Sequence, residues 1–261
     1  MRRIDKQTQA IITIAGTGQN RYSGDDMPAT ESALNNPSGV AAAPNGDIYI
    51  ADTLNYRVRM IDHATGFINT IAGDGDAGDD DFDVGDGGPA VAAHLNMPSD
   101  VALAPSGDIY IADMHHQRIR KVDARTRIIT TVAGSGRWGN TGDGGQATAA
   151  ALAGPAGVTV ASDSAGALTL FIADYYNGRV RAVGPDGVIR DVGNADKAAF
   201  GAPTRVAYGR LGGWLYVTDS SRDRLVILNI AKIAPTLVPP LMTPTRPAVV
   251  PAPALPPKVL E

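Results

Sequence analysis

The sequence predicts an all-β protein, a β-propeller built from four-stranded antiparallel blades. The segment Ile-Tyr-Ile-Ala-Asp at 48–52 returns with conservative changes at 109–113, 170–174 and 215–219. The copies are 61, 61 and 45 residues apart, and an arginine follows the aspartate of each copy by five residues. A period in this range means that one supersecondary unit is repeated along the chain.

One unit reads as four short strands joined by tight turns. In the first unit the predicted strands are 37–43, 48–51, 57–61 and 67–72. The second of them is apolar on both faces, as expected for a buried strand, whereas the third alternates polar and apolar residues. Units 97–134 and 154–193 repeat this plan, and residues 201–230 supply only three strands.

The strand that the last unit lacks is predicted at the start of the chain. Residues 11–15 align with the fourth strand of the first unit, so we expect them to pair with residues 224–229 and close a ring of four blades. Ring closure would leave only short sheet edges exposed. Residues 2–5 duplicate a third strand, which leaves an alternative open: an incomplete five- or six-bladed ring that another chain completes.

Composition divides the chain and excludes some chemistry. Residues 1–230 form the predicted propeller, and 231–261 form a Pro-rich extended tail that could act as a linker or as a ligand for a partner. The chain has no cysteine, which excludes thiolate metal sites and cysteine nucleophiles, and its net charge of −4 disfavours nucleic-acid binding. Neither a signal peptide nor a membrane span is apparent, so we expect a soluble protein; its compartment is left open, with the cytoplasm as the default.

Several motifs recur in the same order and resemble a known family. Gly-Asp-Gly-Gly-Pro-Ala at 85–90 precedes Leu95-Asn96-x-Pro98-Ser99, then 109–113, 118–123 and 128–134. This succession resembles bacterial NHL repeats, and the resemblance covers residues 4–230. It implies a propeller, typically of about six blades, whose known members include protein-binding scaffolds, RNA-binding domains of tripartite-motif proteins and a zinc-dependent peptide-amidating lyase. The inner strands carry no histidine that could hold such a zinc.

The recurring aspartate and arginine are predicted to pair within each blade. Asp52 ends the second strand and Arg57 opens the third, so a hairpin brings them side by side, where a guanidinium can grip a carboxylate with two hydrogen bonds. A group repeated in every blade is expected to be structural rather than catalytic. The predicted pairs are Asp52 with Arg57, Asp113 with Arg118, Asp174 with Arg179, and Asp219 with Arg224.

The connector after the first blade is strongly acidic. Residues 74–83 hold six carboxylates in ten positions, and Ca²⁺ prefers several oxygen ligands from a flexible loop. The candidate ligands are Asp74, Asp76, Asp80 and Asp83. The bidentate glutamate of calcium loops is missing, so a solvated acidic insertion is the alternative, and apart from Ca²⁺ no cofactor is expected.

One face of the propeller is predicted to bind a partner. The loops between second and third strands emerge on the same side as the blade connectors, and aromatic residues and arginine are enriched at binding hot spots. The candidates on this face are Tyr56, His115, His116, Arg137, Trp138, Tyr175, Tyr176 and Arg222. Ordinary loop decoration is the alternative reading of the same residues.

The sequence therefore predicts a non-enzymatic binding or scaffold module with a protein or peptide partner. No spacing of acids, histidines or serines singles out a catalytic set, and no catalytic residue is assigned. One alternative is a Ca²⁺-dependent ligand binder or enzyme that uses residues 74–86. Another is RNA binding by analogy with the family, which would need a basic loop face. Self-association is expected if the ring is incomplete.

Overall fold

The computed structural model describes residues 1–78, 84–192, 200–209 and 213–230. Short antiparallel strands and 3₁₀ turns make up its regular structure. The strands are β1 (Arg2–Ile4), β2 (Ile11–Thr13), β3 (Met27–Pro28), β4 (Pro37–Ala42), β5 (Ile48–Asp52), β6 (Arg57–Ile61), β7 (Phe67–Ala72), β8 (Pro98–Leu103), β9 (Ile109–Asp113), β10 (Arg118–Val122), β11 (Ile129–Ala133), β12 (Pro155–Ser162), β13 (Leu168–Asp174), β14 (Arg179–Val183), β15 (Ile189–Asp191), β16 (Pro203–Gly209), β17 (Trp214–Asp219) and β18 (Arg224–Asn229).

Each repeat unit is one blade. Blade 1 has the order β3-β7-β6-β5-β4, blade 2 is β8 to β11 and blade 3 is β12 to β15. Blade 4 contains β16, β17 and β18, and an amino-terminal hairpin is formed by β1 and β2. The prediction of an all-β propeller with four-stranded antiparallel blades is confirmed.

The inner strands of blades 1 and 2, and those of blades 3 and 4, approach closely because the first strand of each pair carries a glycine where they touch. A Cβ at Gly39 of β4 would lie 2.6 Å from the Cα of Asp100 on β8, and one at Gly157 of β12 would lie 2.9 Å from the carbonyl oxygen of Thr204 on β16. Atoms at these separations overlap, so only glycine permits this spacing. The inner strands β4, β8, β12 and β16 therefore lie around a common axis.

The hydrophobic core consists of layers between blades rather than one central core. Between blades 1 and 2, Val58 and Ala72 pack with Ile111 and Ile129. Equivalent clusters join blade 2 to blade 3 and blade 3 to blade 4. Each blade is therefore apolar on both faces, as its second strand predicts.

The prediction that residues 11–15 pair with residues 224–229 is wrong. β2 pairs with β1, with Arg3 opposite Ile12, and not with β18. Within the described residues β18 is the outermost strand of a three-stranded sheet. The reason is local: β1 and β2 are joined by a tight turn in which Asp5 accepts hydrogen bonds from the backbone of Gln7 and Thr8, so the hairpin forms from neighbouring residues. Among the described residues no strand pairing joins blade 4 to the amino-terminal hairpin, and we call this arrangement an open arc.

The long connectors cover the outer edges of the blades. β3 pairs with β7, and isolated bridges join Pro89 to Ile128 and Gln146 to Val188 in the same relative position. A covered edge strand cannot pair with a foreign strand. The predicted tail, 231–261, lies outside the described residues. None of the described residues forms a helix of the length and apolarity that a membrane crossing requires.

Candidate functional site

The described parts of the connectors and the loops between second and third strands lie on one side of the arc, which we call the loop face. The inner strand of each blade begins there, because its first residue is the register partner of the aspartate that ends the second strand. The loop face is therefore built from every blade, as the sequence predicts.

A buried arginine anchors the loop face in each of blades 1 to 3. In blade 2 the guanidinium of Arg120 lies between the carboxylate of Asp113, 3.2 Å away, and that of Asp86 in the preceding connector, 2.8 Å away. Arg120 and Asp113 are fully buried, and Arg120 also donates to the carbonyl of Val84. The arginine thus ties the connector to the strand end. Equivalent contacts join Arg59 to Asp25 and Asp52, and Arg181 to Asp143 and Asp174.

The aspartate that ends each second strand binds the loop in addition to the arginine. Asp52 accepts hydrogen bonds from the backbone of Asn35, at 2.7 Å, and from the side chain of Asn55, at 2.8 Å. Burial raises the pKa of Asp52, although these hydrogen bonds and the charge of Arg59 act in the opposite direction. Burial raises the pKa of Asp174 in the same way.

The predicted partners of three aspartates are therefore corrected. Asp52 and Arg57 are register partners, but the guanidinium of Arg57 turns to the carbonyls of Asn55 and Asp74. Its place is taken by Arg59, two residues further along the same face of the strand. In the same way, Asp113 pairs with Arg120 rather than Arg118, and Asp174 pairs with Arg181 rather than Arg179. Arg179 instead contacts Asp143 and Asp191.

Only blade 4 has the predicted pair. Asp219 lies 3.0 Å from the Nε of Arg224, and Val226 stands where the other blades have the buried arginine. The connector before blade 4 lacks the Gly-Asp-Gly-Gly motif that supplies the second aspartate. The buried arginine and the Gly-Asp motif of the connector therefore occur together in blades 1 to 3 and are both missing from the sequence of blade 4, as expected because a buried guanidinium with one partner would be costly.

The axis is crossed by Arg205 of β16 near the loop face. Its Nη1 donates to the carbonyl of Ala156 at 2.7 Å, and its Nη2 donates to those of Ser38 and Ser99 at 3.1 and 3.0 Å. One side chain thus links the inner strands of all four blades. Its Nε lies 3.9 Å from Asp100, and burial raises the pKa of that carboxyl, with the charge of Arg205 opposing the rise. Behind them lies an axial cavity of about 450 Å³, lined mainly by small apolar residues.

An exposed aromatic cluster lies on the loop face of blade 3. The ring centroids of Trp138 and Tyr176 are 4.8 Å apart, and those of Tyr175 and Tyr176 are 4.6 Å apart in an edge-to-face arrangement. Trp138 and Tyr176 are both more than half exposed. The backbone of Tyr176 donates to the carbonyl of Ala153, which fixes the loop against the connector that carries Trp138. Trp138 is therefore a neighbour of Tyr175 and Tyr176, from which it is distant in sequence.

The other predicted binding residues occupy different surroundings. Tyr56 and His115 lie on the loops of blades 1 and 2, Arg137 is exposed beside Trp138, and Arg222 ends the 3₁₀ turn of blade 4. His116 is buried, and its Nδ1 lies 2.9 Å from Asp113 in the position that Asn55 occupies in blade 1. His116 is therefore part of the structural node and not of the exposed surface.

The acidic connector is described only in part. Asp80 and Asp83 lie outside the described residues. Asp74 accepts a hydrogen bond from the backbone of Asp76, and its other carboxylate oxygen lies 3.0 Å from the Nδ1 of His94. In the described ranges no group of three or more acidic, histidine or cysteine side chains is arranged to hold a metal ion.

Blades of this topology around an axial cavity define a β-propeller protein. The NHL repeat model matches residues 34–59 and 95–122, so the chain contains NHL repeats. Protein SUPPRESSOR OF QUENCHING 1 of Arabidopsis thaliana is 32% identical over 173 residues, which are 65% of this chain and 16% of that protein. NHL repeat-containing protein 2 of Bos taurus is 27% identical over 262 residues, 84% of this chain and 35% of that protein.

A solved structure shares the fold. An auxiliary nutrient binding protein from Bacteroides ovatus superposes with a TM-score of 0.56 at 19% identity, covering 76% of this chain and 49% of that one. The chain thus spans less than half of each of these three relatives. The similarity shows the fold.

Proposed function

We propose that this chain is a non-enzymatic binding module that captures a protein or peptide through the aromatic cluster of blade 3. The observation that carries the proposal is the exposed contact of Trp138, Tyr175 and Tyr176 on a rigid base. Tyrosine and tryptophan offer large contact areas at low cost in side-chain entropy, which is why they dominate binding hot spots. The fold serves binding in the similar nutrient binding protein.

The electrostatics of the loop face favour this proposal over the RNA alternative. Arg205 lies near the loop face, but its guanidinium donates to four backbone carbonyls and is not presented to a ligand there. The anchoring arginine of each of blades 1 to 3, Arg120 in blade 2, is buried between carboxylates. An aromatic surface with few available cations suits a peptide better than a phosphate backbone.

The test uses a library of random peptides displayed on phage and selected on the full chain. We expect selected peptides to bind Trp138→Ala at least about tenfold more weakly than the parent chain, since hot-spot residues contribute more than about 1.4 kcal/mol. Phe67→Ala is the matched control, because Phe67 is an exposed aromatic residue at the turn end of β7, away from the loop face. Titration calorimetry with synthetic peptides gives the affinities.

Two results would contradict the proposal. Peptides that bind Trp138→Ala and Tyr176→Ala as tightly as the parent chain would place the site elsewhere. Peptides that bind only in the presence of Ca²⁺ would favour the alternative of a metal-dependent binder that uses the acidic connector.

A further inference from the structure

The same two blade faces meet at each junction inside the arc. We call the face towards the following blade the forward face and the opposite one the backward face. Between blades 1 and 2 the forward residue Val58 packs with the backward residues Ile111 and Ile129. Between blades 3 and 4 the forward residue Val180 packs with Leu215 and Val217. The forward face of one blade is therefore apolar and complementary to the backward face of the next blade.

In the part of the chain that the structure describes, the forward face of blade 4 has large exposed apolar residues. Thr218 is the register partner of Leu225, and Tyr216 is that of Ile227, so these side chains share one face. Leu225 is 57% exposed, whereas the residues at its position in blades 1, 2 and 3 are fully buried. We define the trailing surface as the four large apolar residues that are exposed on this face: Trp214, Tyr216, Leu225 and Ile227.

The opposite end of the arc exposes a backward face. Ile4 and Ile11, on the hairpin of β1 and β2, are more than half exposed, although the aligned residues of blade 1, Ile61 and Ile68, are buried. Val40 on the inner strand of blade 1 is 57% exposed, and the aligned valines of blades 2, 3 and 4 are at most 5% exposed. Val40 belongs to blade 1 itself and borders the axial cavity, because the hairpin has no inner strands that could cover it. We define the leading surface as Ile4 and Ile11 of the hairpin.

We propose that the trailing surface of one copy of this chain binds the leading surface of a second copy. Every junction within the arc joins a forward face to a backward face, and the chain exposes one of each. A second copy therefore supplies the complement that each end lacks, in a contact that continues the interface between blades. The contact is head-to-tail, so the two patches differ and each copy keeps one available surface. Contiguous apolar patches on a protein surface mark interaction sites.

Two charge-bearing variants separate the two surfaces. The trailing variant carries Leu225→Asp and Ile227→Asp, and the leading variant carries Ile4→Asp and Ile11→Asp. All four side chains are more than half exposed, so these changes are compatible with the fold. The control is Val91→Asp with Ile128→Asp, which places the same charges on exposed apolar residues outside both surfaces.

Sedimentation velocity of the full chain, from nanomolar to high-micromolar concentration, tests the proposal. We expect the parent chain and the control to form larger species as concentration rises, and each variant alone to remain a monomer. An equimolar mixture of the two variants should restore a dimer that grows no further, because one trailing and one leading surface remain intact.

A parent chain that stays monomeric throughout overturns the proposal, whatever the variants do. If the parent associates but the mixture of variants gives no dimer, the contact is not head-to-tail and the proposal is equally wrong. Unchanged circular dichroism and melting temperature identify the variants as folded.

Discussion

Arg120→Ala is expected to lower the free energy of unfolding by about 3–5 kcal/mol, the range for removing one partner of a buried ion pair. The substitution leaves Asp113 fully buried without its cation, and it also removes the hydrogen bond to the carbonyl of Val84. The connector that carries Asp86 loses its attachment to the blade at the same time. Chemical denaturation followed by tryptophan fluorescence measures the loss.

Arg118→Ala is the matched control for this prediction. Arg118 lies two residues away on the same face of the same strand, is partly exposed, and donates to the carbonyls of His116 and Ser135. We expect its removal to cost no more than about 1.5 kcal/mol, as for an ordinary hydrogen bond. Equal losses for the two variants would contradict the role assigned to Arg120.

Gly134→Ala is expected to cost about 3 kcal/mol or more, because an overlap with backbone adds to conformational strain. Gly134 has φ +87°, a conformation that L-residues rarely adopt. A Cβ there would also overlap the carbonyl oxygen of Gln117 and lie 2.9 Å from the Cα of Arg118. The connector would have to move away from the loop of blade 2, and the base of the aromatic cluster with it.

Gly144→Ala separates the two contributions. Gly144 has φ +82°, nearly the same as Gly134, but nothing lies within 4 Å of a Cβ built on it. Gly144→Ala should therefore lower the free energy of unfolding by the conformational strain alone, about 1–2 kcal/mol. The difference between the two melting temperatures measures the close approach of connector and loop. Similar values for both variants would show that this approach is not tight.

The repeat made most of the fold predictable. Strands β6 and β7 have the bounds that the alternation of residues predicts, and β5 differs by one residue. Local patterns suffice here because each blade is formed from consecutive strands joined by tight turns. Pairing between the two ends of the chain depends instead on the curvature of the whole arc, which no local pattern contains, so the closing strand was wrong.

The ion pairs show a second limit of the sequence. Arg57 and Arg59 lie on the same face of β6, and register alone favours the nearer one for Asp52. Burial decides in favour of Arg59, whose second partner, Asp25, comes from a connector 34 residues away. The sequence did contain a signal for this pairing, because the buried arginine and the Gly-Asp motif of the connector recur together in three units and are both missing in blade 4.

The candidate site was predicted in its location rather than in its detail. The topology of a blade places all connectors and second-to-third strand loops on one face, so Trp138 and Tyr176 could be assigned to the same side. Their contact at 4.8 Å depends on the connector path, which the sequence does not encode locally. The role of Arg205 was missed for the same reason, since its acceptors belong to three other strands.

The open arc can be tested most directly with pairs of cysteines, since the chain has none of its own. We expect Arg3→Cys with Ile12→Cys to form an intramolecular disulfide on oxidation at high dilution, because these residues are register partners on β1 and β2. Ile12→Cys with Ile227→Cys should form none under the same conditions. An intramolecular disulfide in the second pair would place β2 beside β18 and show that the blades close into a ring.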